Sequence, residues 1–307
     1  MKISVLIPCH NEEATIAEVV GDFKRFLPQA TIYVYDNAST DRTVEAAAAA
    51  GAVTRHEALP GKGNVVRRMF ADIQSDVYVL VDGDSTYDAE TAPKVIELLL
   101  RENLDMVAVA RDAVGKGAYR TGHKFGNVMF STLTRAIFGK RFHDMLTGYR
   151  IFSRRFVKSF PALSAGFEIE TEITIHALEL RAPIAEVEAP YKERPEGSNS
   201  KLRTYRDGML ILYTIVALIK EERPLLFFGS VFLVLVSSSI LFAAPIFDEF
   251  VRTGLVPRLP TAVLATGLML LAFLSLAAGL ILDTVTRGRR EFKRLQYLQI
   301  NSVSPDN

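Results

Sequence analysis

The chain has 307 residues, enough for one large domain or two moderate ones with a full hydrophobic core. With 36 Lys and Arg against 35 Asp and Glu, its formal charge of +1 lacks the basic surplus that a nucleic-acid partner requires. Cys9 is the only cysteine, which excludes an internal disulfide and a cysteine-built metal site; the mildly positive mean hydropathy points instead towards a membrane.

The first apolar run, residues 3–7, begins at once and is only a strand long, so no signal peptide is expected and the amino-terminal part belongs in the cytoplasm. Further strands are predicted at 31–35, 77–81 and 105–110, with helices at 13–27, 40–50, 64–74 and 90–102. This alternation predicts βαβ units and a mostly parallel sheet, an α/β domain over residues 1–203. Residues 204–222 carry Met209, Leu210, Leu212, Tyr213, Val216 and Leu218 with Arg203, Arg206 and Lys220 around them. That pattern is either an amphipathic helix at the headgroup surface or an extension of the domain's last helix.

Residues 224–247 and 259–282 contain no charged side chain, and each exceeds the ~20 residues that cross a bilayer as a helix. Two transmembrane helices are therefore expected within 223–283. Lys220 and Arg223 precede the first, and Arg287, Arg289, Arg290, Lys293 and Arg294 follow the second, so both ends are assigned to the cytoplasm by the positive-inside rule. The basic tail, 284–307, is expected either to make homo-oligomer contacts or to lie on anionic lipid.

The polar residues cluster just beyond the predicted strands. Val77–Val81 runs straight into Asp82-Gly83-Asp84-Ser85-Thr86-Tyr87-Asp88. Two hard oxygen donors at a strand's carboxyl end suit a divalent cation that carries phosphates; an ordinary acidic turn with a helix cap is the alternative. The first strand ends near Pro8, Asn11 and Glu12, the second in Asp36-Asn37-Ala38-Ser39-Thr40-Asp41, and a third loop carries Pro60-Gly61-Lys62-Gly63. All converge on one sheet edge. Asp36 can accept from a base or ribose hydroxyl, and the glycines let Lys62 approach phosphate oxygens, although the Walker spacing is absent.

Taken together, these motifs resemble the inverting glycosyltransferases of family two with the GT-A fold, within them the dolichol-phosphate mannose synthase and polyprenyl-phosphate glucosyltransferase group. The resemblance rests on IPCHNEE, DNASTD, PGKGN, DGDSTYD, Asp144-Met145-Leu146-Thr147-Gly148-Tyr149-Arg150 and RPEGSNSK at 194–201, and it covers the chain to about residue 220. It implies that Pro8, Asn11, Glu12, Asp36, Lys62 and Asp82 bind the nucleotide sugar, and that Asp82 and Asp84 hold Mg²⁺ or Mn²⁺. Where the group often has Gln, this chain has Thr86, a weaker metal ligand; Asn37 replaces the second of two paired acids.

For the acceptor phosphate, the resemblance implies Arg111, Arg120, His123 in place of a Ser, Arg150, Arg194 and Lys201, since a lipid phosphate calls for cationic, preferably bidentate partners. Asp84, Asp144 and Arg120 form the implied catalytic set, with Asp144 expected to orient an acceptor-binding arginine or the sugar hydroxyls. Of Glu168, Glu170 and Glu172, helical spacing puts Glu168 and Glu172 on one face, and one of the three is expected to meet substrate. Arg154 and Arg155 are read as solvated or headgroup-facing, and His56 and His176 as structural.

The expected activity is inverting, metal-dependent transfer of a hexose from a nucleotide-diphosphate sugar to an undecaprenyl or dolichyl phosphate at the cytoplasmic membrane face. A UDP-sugar is preferred as donor, with GDP-mannose as the alternative. Against a processive polysaccharide synthase stand the lack of tryptophan, which its Q-x-x-R-W motif needs, and the presence of only two expected spans. The rival from another class is a catalytically degenerate scaffold that binds a lipid carrier or a partner transporter.

Overall fold

The computed structural model describes residues 1–113, 144–166, 168–192, 216–217 and 219–301. Seven strands form one sheet: β1 (Ile3–Cys9), β2 (Thr31–Asp36), β3 (Val53–His56), β4 (Val77–Leu80), β5 (Met106–Ala113), β6 (Arg150–Ser153) and β7 (Ile184–Tyr191), in the order β3-β2-β1-β4-β6-β5-β7. β1, β2, β3 and β4 pair in parallel, as do β5 and β7; β6 runs antiparallel between β4 and β5. This mostly parallel α/β sheet agrees with the fold class read from the sequence.

Alternation along β1 shows how the sheet is covered. Ile3, Val5, Ile7 and Cys9 enter the main core, joined there by Ile16, Val19, Val20 and Phe23 of helix α1 (Ile16–Phe26), by Ala47 of α2 (Thr43–Ala49) and by residues of α4 (Ala92–Arg101). Helices α3 (Lys62–Asp72), α5 (Arg154–Ser159) and α6 (Ile169–Leu180) supply a second cluster rich in rings. There Phe70 meets Phe152 edge-on at 5.8 Å, Phe152 stacks on Phe156 at 5.3 Å, and His176 packs edge-on against Phe156 at 5.4 Å. Burying each such ring contributes about 1.5–3 kcal/mol.

Three strands escape the sequence reading. β3 is four residues with mostly exposed side chains, and β6 is four residues opening with arginine, so neither forms an apolar run. β7 is marked by period-two alternation, with Ala185, Val187 and Ala189 on the core and Glu186 and Glu188 between them.

Two compact units emerge: 1–207 with 293–307, and 208–292. The second contains α7 (Pro224–Thr253) and α8 (Leu259–Gln299), whose last turns belong to the first unit. Both helices are long and apolar enough to cross a membrane, with mean hydropathies of 2.4 and 2.3 over their most apolar windows and few of those residues buried. They pack on each other through Ser239 Oγ donating to Ala265 O at 2.7 Å, Ser275 Oγ donating to Phe228 O at 3.0 Å, and Phe232 against Phe273. Arg289 and Arg290 both pair with buried Glu222. Of the stretch 204–222, residues 216–217 and 219–222 are described and are helical; the rest lies outside the described residues.

Part of the tail docks on the α/β unit, an arrangement the sequence reading did not include. α8 continues to Gln299, and its last turns join the α/β unit. Lys293 pairs with Glu179 at 2.8 Å, Arg294 donates to Leu180 O at 2.6 Å, and Tyr297 packs on Leu180 and Ala182 while its hydroxyl donates to Asp105 at 2.5 Å. Arg155 likewise turns inward rather than to water: it pairs with Asp105 at 3.0 Å beneath the Tyr297 ring. Asp105 is almost wholly buried, and an unpaired carboxylate there would be costly, which explains why both partners are held.

Candidate active site

The polar motifs meet at the carboxyl ends of the parallel strands. β1 delivers Pro8 and then Asn11 and Glu12; β2 ends at Asp36. Asn11 takes a left-handed φ of 53° and ties the two loops together, its Oδ1 accepting from Thr40 N at 2.8 Å and its own N–H donating to Ser39 Oγ at 2.9 Å. The Glu12 N–H donates to Thr43 Oγ1 at 2.8 Å. Asp36 is buried, accepts from Ser39 N, and lies 3.2 Å from His56 Nδ1. Its neighbour Asn37 is a structural peg: Nδ2 donates to Glu57 O and Leu59 O, and Oδ1 accepts from Gly61 N at 2.6 Å. The loop carrying Lys62 is fixed by that side chain.

Gly61 has φ +122°, and an added Cβ would stand 2.3 Å from Ala165 O. Only glycine fits such a position. The turn starts α3 at Lys62, two residues before the expected start, and aims the ammonium at Asp82 and Glu170. Lys62 Nζ bonds Asp82 Oδ1 and lies 2.5 Å from Glu170 Oε1. Burial alone lowers the Lys62 pKa, but the charges of Asp82 and Glu170 outweigh it and raise it far above that of an ordinary lysine.

Asp82 and Asp84 flank Gly83 beyond β4, as the sequence predicts from the abrupt end of the apolar run. Asp84 is buried and Oδ1 accepts from Thr86 Oγ1 at 2.5 Å and from Thr86 N at 3.3 Å. Between them Ser85 holds a φ of 56°, local strain of a kind concentrated at functional sites. Thr86 is fully buried with its hydroxyl donated to Asp84. No cluster of three or more His, Cys, Asp or Glu suited to a metal occurs among the described residues. Two carboxylates still fit Mg²⁺ or Mn²⁺, because such ions are commonly held by one or two carboxylates, with substrate phosphates and water completing the shell.

The segment before β6 brings the second set of groups. Arg111, near the end of β5, meets Asp144 in a two-pronged pair, Nε to Oδ2 at 2.6 Å and Nη2 to Oδ1 at 2.9 Å, and its guanidinium lies over the Tyr191 ring. Burial pushes the Asp144 pKa up, but the Arg111 hydrogen bonds and charge bring it below the usual carboxylate range. The Asp144 N–H donates to Glu186 Oε1 at 2.8 Å. Gly148 lies against Asp82, where a Cβ would stand 2.3 Å from Oδ2, and its N–H donates to the Tyr87 hydroxyl at 2.9 Å.

Two expectations change. Arg150 does not present itself to an acceptor phosphate: it is 1 % exposed, and its guanidinium donates to Thr147 O, Met145 O and Thr174 Oγ1. Burial lowers its pKa, and its work is to brace the 144–149 turn. Among the three glutamates, the one that reaches the site is Glu170, while Glu172 accepts from the N–H groups of Leu163 and Ser164 at 2.9 and 2.7 Å. The spacing argument identified the shared face of Glu168 and Glu172; it could not identify which face turns inward. Arg120, His123, Arg194 and Lys201 lie outside the described residues.

A mostly parallel sheet with paired carboxylates beyond a central strand and an antiparallel insertion beside it defines a GT-A glycosyltransferase domain. Residues 4–160 match the family model described as Glycosyl transferase family 2, and the chain belongs to that family. It is 32% identical over 300 residues to the glycosyltransferase AglJ of Haloferax volcanii, covering 97% of this chain and 98% of that one. A dolichyl-phosphate hexose transferase from the same organism is 29% identical over 221 residues, covering 72% and 95%. Among solved structures, Mycobacterium tuberculosis glucosyl-3-phosphoglycerate synthase in complex with Mn²⁺, uridine-diphosphate-glucose and phosphoglyceric acid superposes with a TM-score of 0.57 at 25% identity, covering 71% and 79%.

Proposed function

We propose that the chain transfers a hexose, with inversion, from a nucleotide-diphosphate sugar to a polyprenyl phosphate at the cytoplasmic face of a membrane. The observation that carries this reading is the meeting of the Asp82-Gly83-Asp84 segment with Lys62 and of Arg111 with Asp144 on one sheet edge, in a chain with two helices fit to cross a membrane. The similarity to a dolichyl-phosphate hexose transferase supports the acceptor class, and the neighbour that binds UDP-glucose supports a UDP-sugar over GDP-mannose. On this reading the two helices anchor the enzyme, with both termini cytoplasmic.

Donor binding falls to Pro8, Asn11, Glu12, Asp36 and Lys62, with Asp82 and Asp84 facing the diphosphate. Thr86 orients Asp84 rather than ligating. A bound Mg²⁺ or Mn²⁺ supplies positive charge to the departing nucleoside diphosphate. The acceptor phosphate is already ionised at neutral pH, so no strong base is needed, and the depressed pKa of Asp144 makes it a poor one. Asp144 instead holds the Arg111 guanidinium in place by taking its Nε and Nη2 edge, and the positive charge so positioned attracts and aligns the acceptor phosphate for in-line attack on the anomeric carbon. Arg120, His123, Arg194 and Lys201 are assigned to the same phosphate.

The test is incubation of the purified full-length protein with polyprenyl phosphate, Mn²⁺ and a panel of labelled UDP- and GDP-sugars. A lipid-linked sugar of inverted anomeric configuration is expected with one donor. No lipid-linked product with any of them would overturn the proposal.

A further inference from the structure

Lys62 and a divalent cation compete for the same carboxylate. One Asp82 oxygen, Oδ1, is bonded to the Lys62 ammonium, and the other, Oδ2, is pressed against Gly148, where not even a methyl fits. A divalent ion at its bonding distance of about 2.1 Å from Oδ1 would have to share that oxygen with the ammonium. Glu170 supplies the other half of the arrangement. It is 5 % exposed, gives Lys62 one oxygen at 2.5 Å, and holds its second, Oε2, buried without a hydrogen-bond partner. A buried carboxylate oxygen with no partner is costly unless something arrives to meet it.

We infer that Lys62 is a built-in counter-ion that occupies Asp82 in the empty enzyme and withdraws onto Glu170 when the divalent cation loads, with Glu170 the positioning residue that keeps the ammonium beside the donor diphosphate. The inference rests on the reading of Asp82 and Asp84 as the cation site. It makes metal loading weak in the absence of donor, because the ion must displace an ammonium. A diphosphate gives that ammonium a new anionic partner and so frees Asp82. The exchange moves the ammonium from one carboxylate to another and requires no proton transfer.

The test measures Mn²⁺ affinity without nucleotide, by the electron paramagnetic resonance signal of free Mn²⁺, on the full-length protein in detergent micelles. The informative variant is Lys62→Met with Glu170→Gln, which removes one charge of each sign and leaves the net charge of the site unchanged. It is expected to bind Mn²⁺ at least tenfold more tightly than the wild type. Lys62→Met alone gives the same sign and serves if the double variant does not fold. Affinity equal to or below wild type in both would overturn the exchange. Adding Asp84→Asn to the tightened variant is expected to abolish the gain. If it does not, the ion sits elsewhere and the inference falls together with the cation-site assignment. A tightened variant that Asp84→Asn reverses, from a protein that makes no lipid-linked product, would leave the exchange standing and remove only the proposed reaction.

Discussion

Gly148→Ala isolates the packing of one methyl group against the Asp82 carboxylate, the proposed cation ligand. Gly148 is not among the positive-φ residues, so alanine suits the backbone. Its Cβ, however, would stand 2.3 Å from Asp82 Oδ2 and 2.8 Å from Cγ. Restoring ordinary contact requires the carboxylate to move by about 1 Å. The Asp82 side chain is 28% exposed and has room to swing, so the fold should lose no more than about 1 kcal/mol. A reacting group misplaced by about 1 Å costs roughly 100-fold in rate, equivalent to about 2.7 kcal/mol of barrier. The expected result is therefore a normal thermal melt, a roughly 100-fold loss of kcat/KM in lipid-linked sugar formation, and weakened Mn²⁺ binding with donor present. A folded variant with wild-type kcat/KM would refute the role given to Asp82.

Three further predictions concern the Arg111–Asp144 pair and the frame around it. Arg111→Lys keeps the charge but loses the two-pronged pair with Asp144; a charge-assisted hydrogen bond is worth about 1.5–3 kcal/mol, so acceptor kcat/KM should fall roughly 10- to 100-fold, chiefly in acceptor KM. An unchanged acceptor KM would remove Arg111 from the acceptor site. Burial, with Lys293 nearby, lowers His176 from 6.5 to about 4. As pH falls the unfolded chain takes up that proton first, so stability is intact above about 6.5, is lost progressively down to about 4, and amounts to roughly 3 kcal/mol over the window. Thermal melts across that range, with His176→Leu flattening the profile, check the sign. Tyr297→Phe removes one donor from Asp105, which retains Ser153 and Arg155; a loss of about 1 kcal/mol is expected by denaturant titration, and no loss would mean that the Tyr297 hydroxyl contributes nothing to the fold.

The acidic end of β4 was legible in the sequence because an apolar run has to stop where its strand leaves the core, and the residues after the stop fall at the ligand-binding edge. Lys62 was legible for a similar reason, since paired glycines mark a backbone that turns sharply. Asn37 was visible as a departure from paired acids, but its role as a peg for the 57–61 loop depends on three bonds to residues 20 to 24 positions away. Arg150 misled because arginines are mostly exposed and its type suits phosphate, whereas only the packed turn reveals carbonyls that consume its donors. Glu170 was hidden by the rotation of α6, which spacing within the helix leaves undetermined. The docked tail was hidden because a basic run reads equally well as solvated, lipid-facing or paired.

The antiparallel insertion of β6 is what gathers side chains from beyond two neighbouring strands at this sheet edge. In a purely parallel sheet every carboxyl end carries the loop that leaves its own strand, so one strand supplies one set of groups. β6 reverses that: it runs against β4 and β5, pairing Leu80 with Arg150 and Ala108 with Arg150, so the chain entering β6 lies beside the ends of both neighbours. The entering segment, 144–149, therefore sets Gly148 against Asp82 beyond β4 and Asp144 against Arg111 at β5 within five residues. The buried Arg150 guanidinium ties that segment through Thr147 O and Met145 O to α6, where Thr174 accepts from it and Glu170 meets Lys62. One turn thus fixes Asp82 and Arg111 relative to each other. On the proposed reaction, that is the geometric condition for bringing two mutually repelling phosphates into line, and it follows from strand direction more than from any single residue at the site.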